Sequence, residues 1–376
     1  MELHIVKSGE TLRAIGARYG TESARIAELN ALADPARLAV GAALVIGGYE
    51  DAPRQTLEVC GGAFAPNAPG AADIAPYLTF YTPPGARITA TGELEMPFDD
   101  AAMADAARRA NAAALLTVSN LGEDGGYSGG IAHAVFTDEE VQARVFENIL
   151  SALREKKYRG VNFDFQYIPP FDRGAYSAFI RRAGEIFHPG GYFMMSTLAP
   201  LDNGGRDALL TAGQDYAVHG EVMDRVAVMT YDWGYSLGAP QAVSPADKIR
   251  AALDAAASVP RGKLLMGFSS GGYNWAVPWR QGEAATAISS AGAVNLAASL
   301  GCEIHYDSVA AAPYFNYTDA VGLRHEVWFE DARSWRARLA LAEEYGLAGI
   351  FLRPYERIYR PGLEVFSSMF AAEKII

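Results

Sequence analysis

Hydrophobic and polar positions change their period once along the 376 residues. In residues 1–48, two short β-prone runs, His4-Ile5-Val6 and Ala43-Leu44-Val45-Ile46, bracket two stretches of helical spacing. The first places Leu12, Ile15 and Tyr19 on one face; the second places Ile26 and Leu29 on another. This predicts strand, helix, helix, strand, with Gly20 and Asn30 standing where helix ends favour left-handed residues. Gly47-Gly48 and the region of Pro53 form a short polar connection. Residues 49–376 then alternate β-branched or aromatic runs with helical stretches. The strands are expected at 77–81, 87–89, 115–118, 161–165, 193–196, 226–231, 264–268 and 349–352. Helices are expected between several of them, as at 100–111, 138–157, 173–187, 245–257 and 334–345. Such alternation predicts an α/β protein whose right-handed βα units close into a parallel (β/α)8, or TIM, barrel. The region exceeds the ~250 residues typical of that fold. The surplus, at about 276–330, holds short alternating runs at 303–306, 314–317 and 325–329 with a turn at 319–322, and predicts a small antiparallel β insertion between the seventh and eighth strands.

Two strands end in chemistry. In Gly160-Val161-Asn162-Phe163-Asp164-Phe165-Gln166, side chains alternate faces, so Val161, Phe163 and Phe165 face the helices while Asn162, Asp164 and Gln166 point into the barrel. Barrel interiors are filled by branched apolar residues, and an unpaired buried carboxylate or amide costs several kcal/mol. A site at the C-terminal mouth accounts for the row; a structural hydrogen-bond network is the alternative. The run Val226 to Gly234 repeats the logic, ending in Thr230, Tyr231, Asp232 and Trp233. Tyr231 and Trp233 read equally as core aromatics on their own, and the polar row at Asn162, Asp164 and Gln166 tips them toward function.

Composition narrows the partners. Lys+Arg 32 against Asp+Glu 44 leaves a net charge of −12, without the basic stripe that nucleic acid or anionic lipid requires. Cys60 and Cys302 form neither a disulfide framework nor a metal motif. His133, His188, His219, His305 and His325 lack ligand or triad spacing, so no metal and no cofactor is expected. Residues 122–126 are glycine-rich but lack the Lys and Ser/Thr of a phosphate loop. No apolar run approaches the ~18 residues that span a bilayer, and no signal peptide is read at the N-terminus.

Residues 1–48 resemble the LysM module, which binds N-acetylglucosamine chains of peptidoglycan and chitin. The residues that carry the likeness are 4–12, then Ile15, Tyr19, Ile26, Leu29, Asn30, Gly41, Leu44, Val45 and Ile46. The resemblance implies a sugar groove between the loops at 8–12 and 30–38, with Gly9, Thr11, Leu12 and Asn30 as candidate contacts. Residues 49–376 resemble family 18 glycoside hydrolases, and more closely the LysM-bearing glucosaminidases that act on the spore cortex. Support runs through 117–120, 197–200, 215–216, 229–234, 272–275, 313–319 and 325–334.

The mechanism implied is substrate-assisted and retaining, the acetamido oxygen of the sugar serving as nucleophile. Asp164 would orient the acetamido group, Tyr231 would hydrogen-bond it, and the last residue of the strand motif, a Glu in the family, would protonate the leaving oxygen. Here that position is Gln166. Asn120, Asn162, Asp232, Trp233, Trp275, Arg353 and Tyr355 are implied to bind substrate, and Asn162 is normal for the spore subgroup. A carboxamide is not a usable acid near neutral pH, although its NH2 can donate a hydrogen bond to the same oxygen. Efficient hydrolysis is therefore expected to be absent while glycan binding persists. The alternative is an active N-acetylglucosaminidase in which Glu was exchanged for its isostere. Arg353 at the aromatic floor position and Ser269-Ser270-Gly271 in place of the usual Tyr argue for natural divergence, since an exchange would touch one site. A third reading is a coat or wall scaffold with no glycan binding beyond the LysM unit. Location at spore coat, cortex or cell wall is implied by resemblance, with a cytoplasmic location otherwise.

Overall fold

The structure is a computed structural model describing residues 1–47, 55–62, 71–201, 211–353 and 358–375. The N-terminal unit is β1 (Glu2–Ile5), α1 (Leu12–Tyr19), α2 (Ser23–Leu29) and β2 (Ala43–Gly47), with β1 antiparallel to β2. Thr11 caps α1, its hydroxyl oxygen accepting from the Ala14 N–H at 3.2 Å, and Gly20 closes it at φ 65°. At the end of α2 the expectation fails: Asn30 has φ −99°, and Ala31, at φ 49°, takes the left-handed turn. Asn30 instead cross-links α2 to β2. Its amide nitrogen donates to the carbonyls of Ile26 (2.8 Å) and Val45 (2.7 Å), and its oxygen accepts from Val45 N–H (2.8 Å).

Eight parallel strands close the barrel, the first seven being β3 (Gln55–Gly62), β4 (Phe80–Thr82), then, after the hairpin β5 (Ala86–Ile88) and β6 (Leu94–Glu95), β7 (Ala113–Ser119), β8 (Gly160–Asp164), β9 (Phe193–Leu198), β10 (Arg225–Val228) and β11 (Leu264–Ser269). The insertion strands β12 (Gly271–Val277), β13 (Thr286–Ser289), β14 (His305–Asp307), β15 (Ala312–Thr318) and β16 (Arg324–Trp328) follow, and β17 (Gly349–Arg353) returns to pair with β3 and β11. A short β18 (Phe370–Ala372) adds to the outer edge of β3.

Two strand expectations need correction. The run at 87–89 is β5, which only flanks the end of β7 and turns back into β6; it is not one of the eight. The missing member is β3, whose Gln-Thr-Leu-Glu-Val-Cys-Gly-Gly run carries two glycines and a carboxylate, so it reads poorly as a buried strand. Within the fold its carboxylate is satisfied: Glu58 is buried and accepts two hydrogen bonds from the Arg225 guanidinium. Inside the ring, Cys60, Phe80, Leu115, Met195, Leu265 and Phe351 pack together, while the larger outer core lies between strands and helices.

The insertion forms one antiparallel sheet in the order β13-β12-β16-β15-β14, with the helix Ser290–Leu300 against it. Its apolar back shares a core with the N-terminal unit: Leu12, Ile15, Ile26 and Leu44 pack with Ala293, Ile304, Phe315, Val327 and Phe329. Main chain joins as well, Ile304 N–H donating to Val40 O at 2.8 Å. Asn295 accepts from Ala33 N–H at 2.9 Å and donates to Ala31 O at 3.0 Å. Gly41, at φ +82°, is required here, because a Cβ would fall 1.9 Å from the Ile304 carbonyl oxygen. No described helix is long and apolar enough to cross a membrane.

Candidate active site

The polar row sits at the C-terminal mouth, where barrel sites form. Phe163 and Phe165 turn outward against Phe179, at 5.7 and 5.8 Å between ring centroids, which leaves Asn162, Asp164 and Gln166 facing in. All three are almost completely buried, and each is hydrogen-bonded. Asp164 Oδ1 accepts from Gln166 Nε2 at 2.8 Å, and its Oδ2 accepts from the Tyr127 hydroxyl at 3.0 Å. Arg353, at the end of β17, brings Nη1 to 3.9 Å from Asp164 Oδ2. Asn162 Oδ1 accepts from the Thr197 hydroxyl at 3.1 Å.

Gln166 is held on every side. Its Nε2 donates to Asp164 and also to the Thr197 carbonyl at 2.9 Å, while its Oε1 accepts from Gln214 Nε2 at 3.3 Å. Two acceptors on one side and a donor on the other define which end of the amide is nitrogen. Gln214 is itself fixed, accepting from Ala199 N–H at 3.1 Å and donating to Phe165 O at 3.2 Å. Asn120 grips the main chain of the same residue, accepting from Gln166 N–H at 3.0 Å and donating to its carbonyl at 2.8 Å.

Tyr231 stands within the inner core with its ring 6.3 Å from Phe351, and the Arg353 charge lies close to it. Burial is the main cause that pushes both Tyr231 and Tyr127 well above the usual phenol range, so each stays a hydroxyl donor. Backbone strain collects at the same place: Tyr167 (φ 54°) and Asp232 (φ 62°) directly follow Gln166 and Tyr231. A hollow of about 270 Å³, lined by Tyr231, Asp232, Ser236, Ser269, Tyr273 and Arg353, opens between the mouth and the insertion. A smaller one of about 30 Å³ touches Asn162, Asp164, Tyr127, Thr197 and Arg353. Arg353 borders both.

The structure therefore brings together Asp164, Gln166, Asn162, Asn120, Tyr231, Asp232 and Arg353. Trp275 does not join them: it is fully buried, and its indole N–H donates to Gly238 O at 2.7 Å, so it holds a loop and presents no face to a sugar. Trp233 packs into the outer core among strand and helix side chains. Tyr355 lies outside the described residues. In the N-terminal unit, Leu12 and Asn30 are core groups; Thr11 caps α1, and Gly9 is left-handed at φ +78°. Tyr127 and Gln214 were not singled out from the sequence, and Thr197 entered only as part of the run 197–200 with no role. Nothing local marks their contacts, because the partners lie 37, 48 and 31 residues away.

The barrel with this mouth defines a glycoside hydrolase scaffold, and the chain belongs to the Glycosyl hydrolases family 18, whose match spans residues 95–352. A LysM domain matches residues 4–47. Among its relatives is the Cortical fragment-lytic enzyme of Bacillus subtilis (strain 168), 35% identical over 93% of this chain and 94% of that protein. The crystal structure of the Bacillus cereus spore cortex-lytic enzyme SleL superimposes with a TM-score of 0.93 and 27% identity, covering 99% of this chain and 98% of the other. The SleL of Bacillus megaterium QM B1551 gives 0.82 and 29%, over 100% and 87%. Among the described residues no group of three His, Cys, Asp or Glu is placed to hold a metal ion.

Proposed function

We propose that this chain binds the N-acetylglucosamine-containing glycan of peptidoglycan, in spore cortex or cell wall, and hydrolyses it poorly. The LysM unit holds the strand and the barrel mouth receives one of its sugars. The relatives' names, cortical fragment-lytic and spore cortex-lytic enzymes, favour cortex over chitin. Asp164 and Tyr231 take the roles of orienting and hydrogen-bonding the acetamido group, whose oxygen attacks the anomeric carbon. Asn162, Asn120 and Asp232 shape the pocket around them, and Arg353 balances the Asp164 charge.

One observation carries the claim of weak turnover: the Gln166 amide already gives both of its protons, to Asp164 and to the Thr197 carbonyl. It has no acidic proton to pass to a departing sugar oxygen, and donating even a hydrogen bond there means releasing one of these partners. Tyr127 and Tyr231 are no substitutes, since burial makes both weaker acids than ordinary phenols.

The test is Gln166→Glu beside the unaltered chain, assayed for muropeptide release from spore cortex. A second assay uses an aryl N-acetylglucosaminide whose leaving group needs little protonation. General acid catalysis is worth about 10²- to 10⁴-fold, so release should rise by at least the upper part of that range. Slow aryl-glycoside turnover by the unaltered chain would indicate that Asp164 and Tyr231 still work. Ordinary cortex digestion by the unaltered chain sinks the proposal, and no turnover by either protein dismisses the alternative of an active enzyme altered only at position 166.

A further inference from the structure

The face opposite the mouth, where the barrel strands begin, holds a larger hollow than either at the mouth. It measures about 490 Å³ and opens where the helices Ala101–Arg109 and Glu139–Lys156 end and the chain enters β7, β8 and β9. Its lining mixes apolar groups such as Leu153 and Tyr192 with four cations, Arg108, Arg154, Lys157 and Arg159. On a chain of net charge −12, four cations around one concavity run against the overall balance.

Neighbouring carboxylates leave most of this charge unmatched. Arg108 pairs with Asp105, while buried Asp100 accepts from the Tyr158 hydroxyl at 2.7 Å and lies 3.8 Å from Lys156. The Arg159 guanidinium donates to a main-chain carbonyl, that of Gly191. Arg154 and Lys157 have no side-chain hydrogen bond or ion pair, so among the described residues three of the four cations meet no carboxylate. Helix ends explain part of the cluster, since a cation in the last turn offsets the helix dipole, as Arg154 and Lys156 do. They do not explain Arg159, which lies past the helix, or Lys157. Lys157 caps that helix at φ 58°, a left-handed position where glycine costs least, so a charge is kept there against the backbone's preference.

We infer that this hollow is a second binding site, for a small ligand carrying two or more oxyanion groups, phosphate or carboxylate. It lies on the far face from the glycan site and does not depend on that reading. Arginine forks match the paired oxygens of such groups, and a lysine adds a point charge beside them. A concave, partly apolar lining with a few convergent polar groups is the usual form of a small-molecule site. Three unmatched cations are too few for nucleic acid, whose binding neutralises about 6–10 phosphates along a stripe.

The experiment titrates the full chain at low salt with pyrophosphate and with citrate by calorimetry, acetate at equal ionic strength serving as the monovalent control. Tyr192→3-fluorotyrosine reports where binding occurs. At least one of the two probes is expected to bind one to one and to shift the label, with acetate doing neither. Pyrophosphate as the tighter probe assigns a phosphate ester, citrate a polycarboxylate. Arg154→Gln together with Lys157→Asn is expected to weaken binding at least about tenfold, the order of one hydrogen bond to a charged group. Both positions are exposed, and Asn tolerates the left-handed conformation at 157. Arg159→Gln alone gives a second reading with the helix end untouched. Failure of both probes to bind, acetate matching them, a label that stays still, or variants that bind like the parent overturns the site and leaves the glycan reading of the mouth as it was.

Discussion

At the scale of single residues, the mouth is a set of matched donors and acceptors in which Gln166 fits as an amide. A carboxylate there would set one oxygen against the Thr197 carbonyl unless it carried a proton, whereas the amide satisfies both sides as it stands. Asn120 is the fastener behind it. Asn120→Ala leaves the buried N–H and C=O of Gln166 without partners, and unfolding by denaturant should show a loss of about 2–4 kcal/mol. A loss below about 1 kcal/mol would mean that the Gln166 main chain finds other partners. That Asp164, Gln166 and Tyr231 come together at the mouth was legible, because strand alternation and family resemblance agree on where they lie; their roles are the proposal made above. Gln214 and Tyr127 were not, because a residue that acts by reaching across the barrel leaves no periodic trace.

At the scale of elements, β8 was readable from its alternation, and the N-terminal βααβ unit from its two short strands and helical faces. β3 was not, since glycines and a charge masked it and its stabilising partner, Arg225, comes 167 residues later. The β1–α1 loop of the LysM unit supplies a pH test. Glu10 accepts from the Lys7 N–H at 2.9 Å and from His4 Nε2 at 2.7 Å, and pairs with Arg18 at 3.0 Å. The Lys7 N–H foremost, then His4, lowers its pKa from 4.5 to about 2. A carboxylate depressed by folding stabilises the native state above its unfolded pKa and loses that contribution as pH falls. Loosening of this loop is therefore expected between pH 4.5 and about 2, seen as lower amide protection factors, with the intrinsic exchange rate at each pH divided out, at Lys7 and Ile15. Glu10→Gln should flatten that dependence; an unchanged profile would dismiss the role of Glu10.

At the scale of the whole molecule, the LysM unit is welded to the barrel by way of the insertion. Removing residues 1–47 would uncover Ile304, Phe315, Val327 and Phe329, now closed under Leu12, Ile15 and Ile26. The shortened chain should aggregate or melt earlier, and the full chain should melt in one cooperative transition by calorimetry. A truncated protein that stays monomeric with unaltered melting would show that the shared core is dispensable. Sequence periodicity identified both units but not their union, because Gly41, Asn295 and Ile304 look ordinary until the chain folds them together.

That weld changes how two weak grips on one strand combine. Two modules on a flexible tether gain from each other in proportion to the local concentration that the linker allows, with entropy lost in ordering it. Here the Asn295 bridge leaves no slack between the proposed LysM groove and the barrel mouth. A polymer whose repeat matches that fixed span is held twice at once with no search. One that is out of register gains nothing from the second grip, so the protein measures its ligand like a caliper set to one opening.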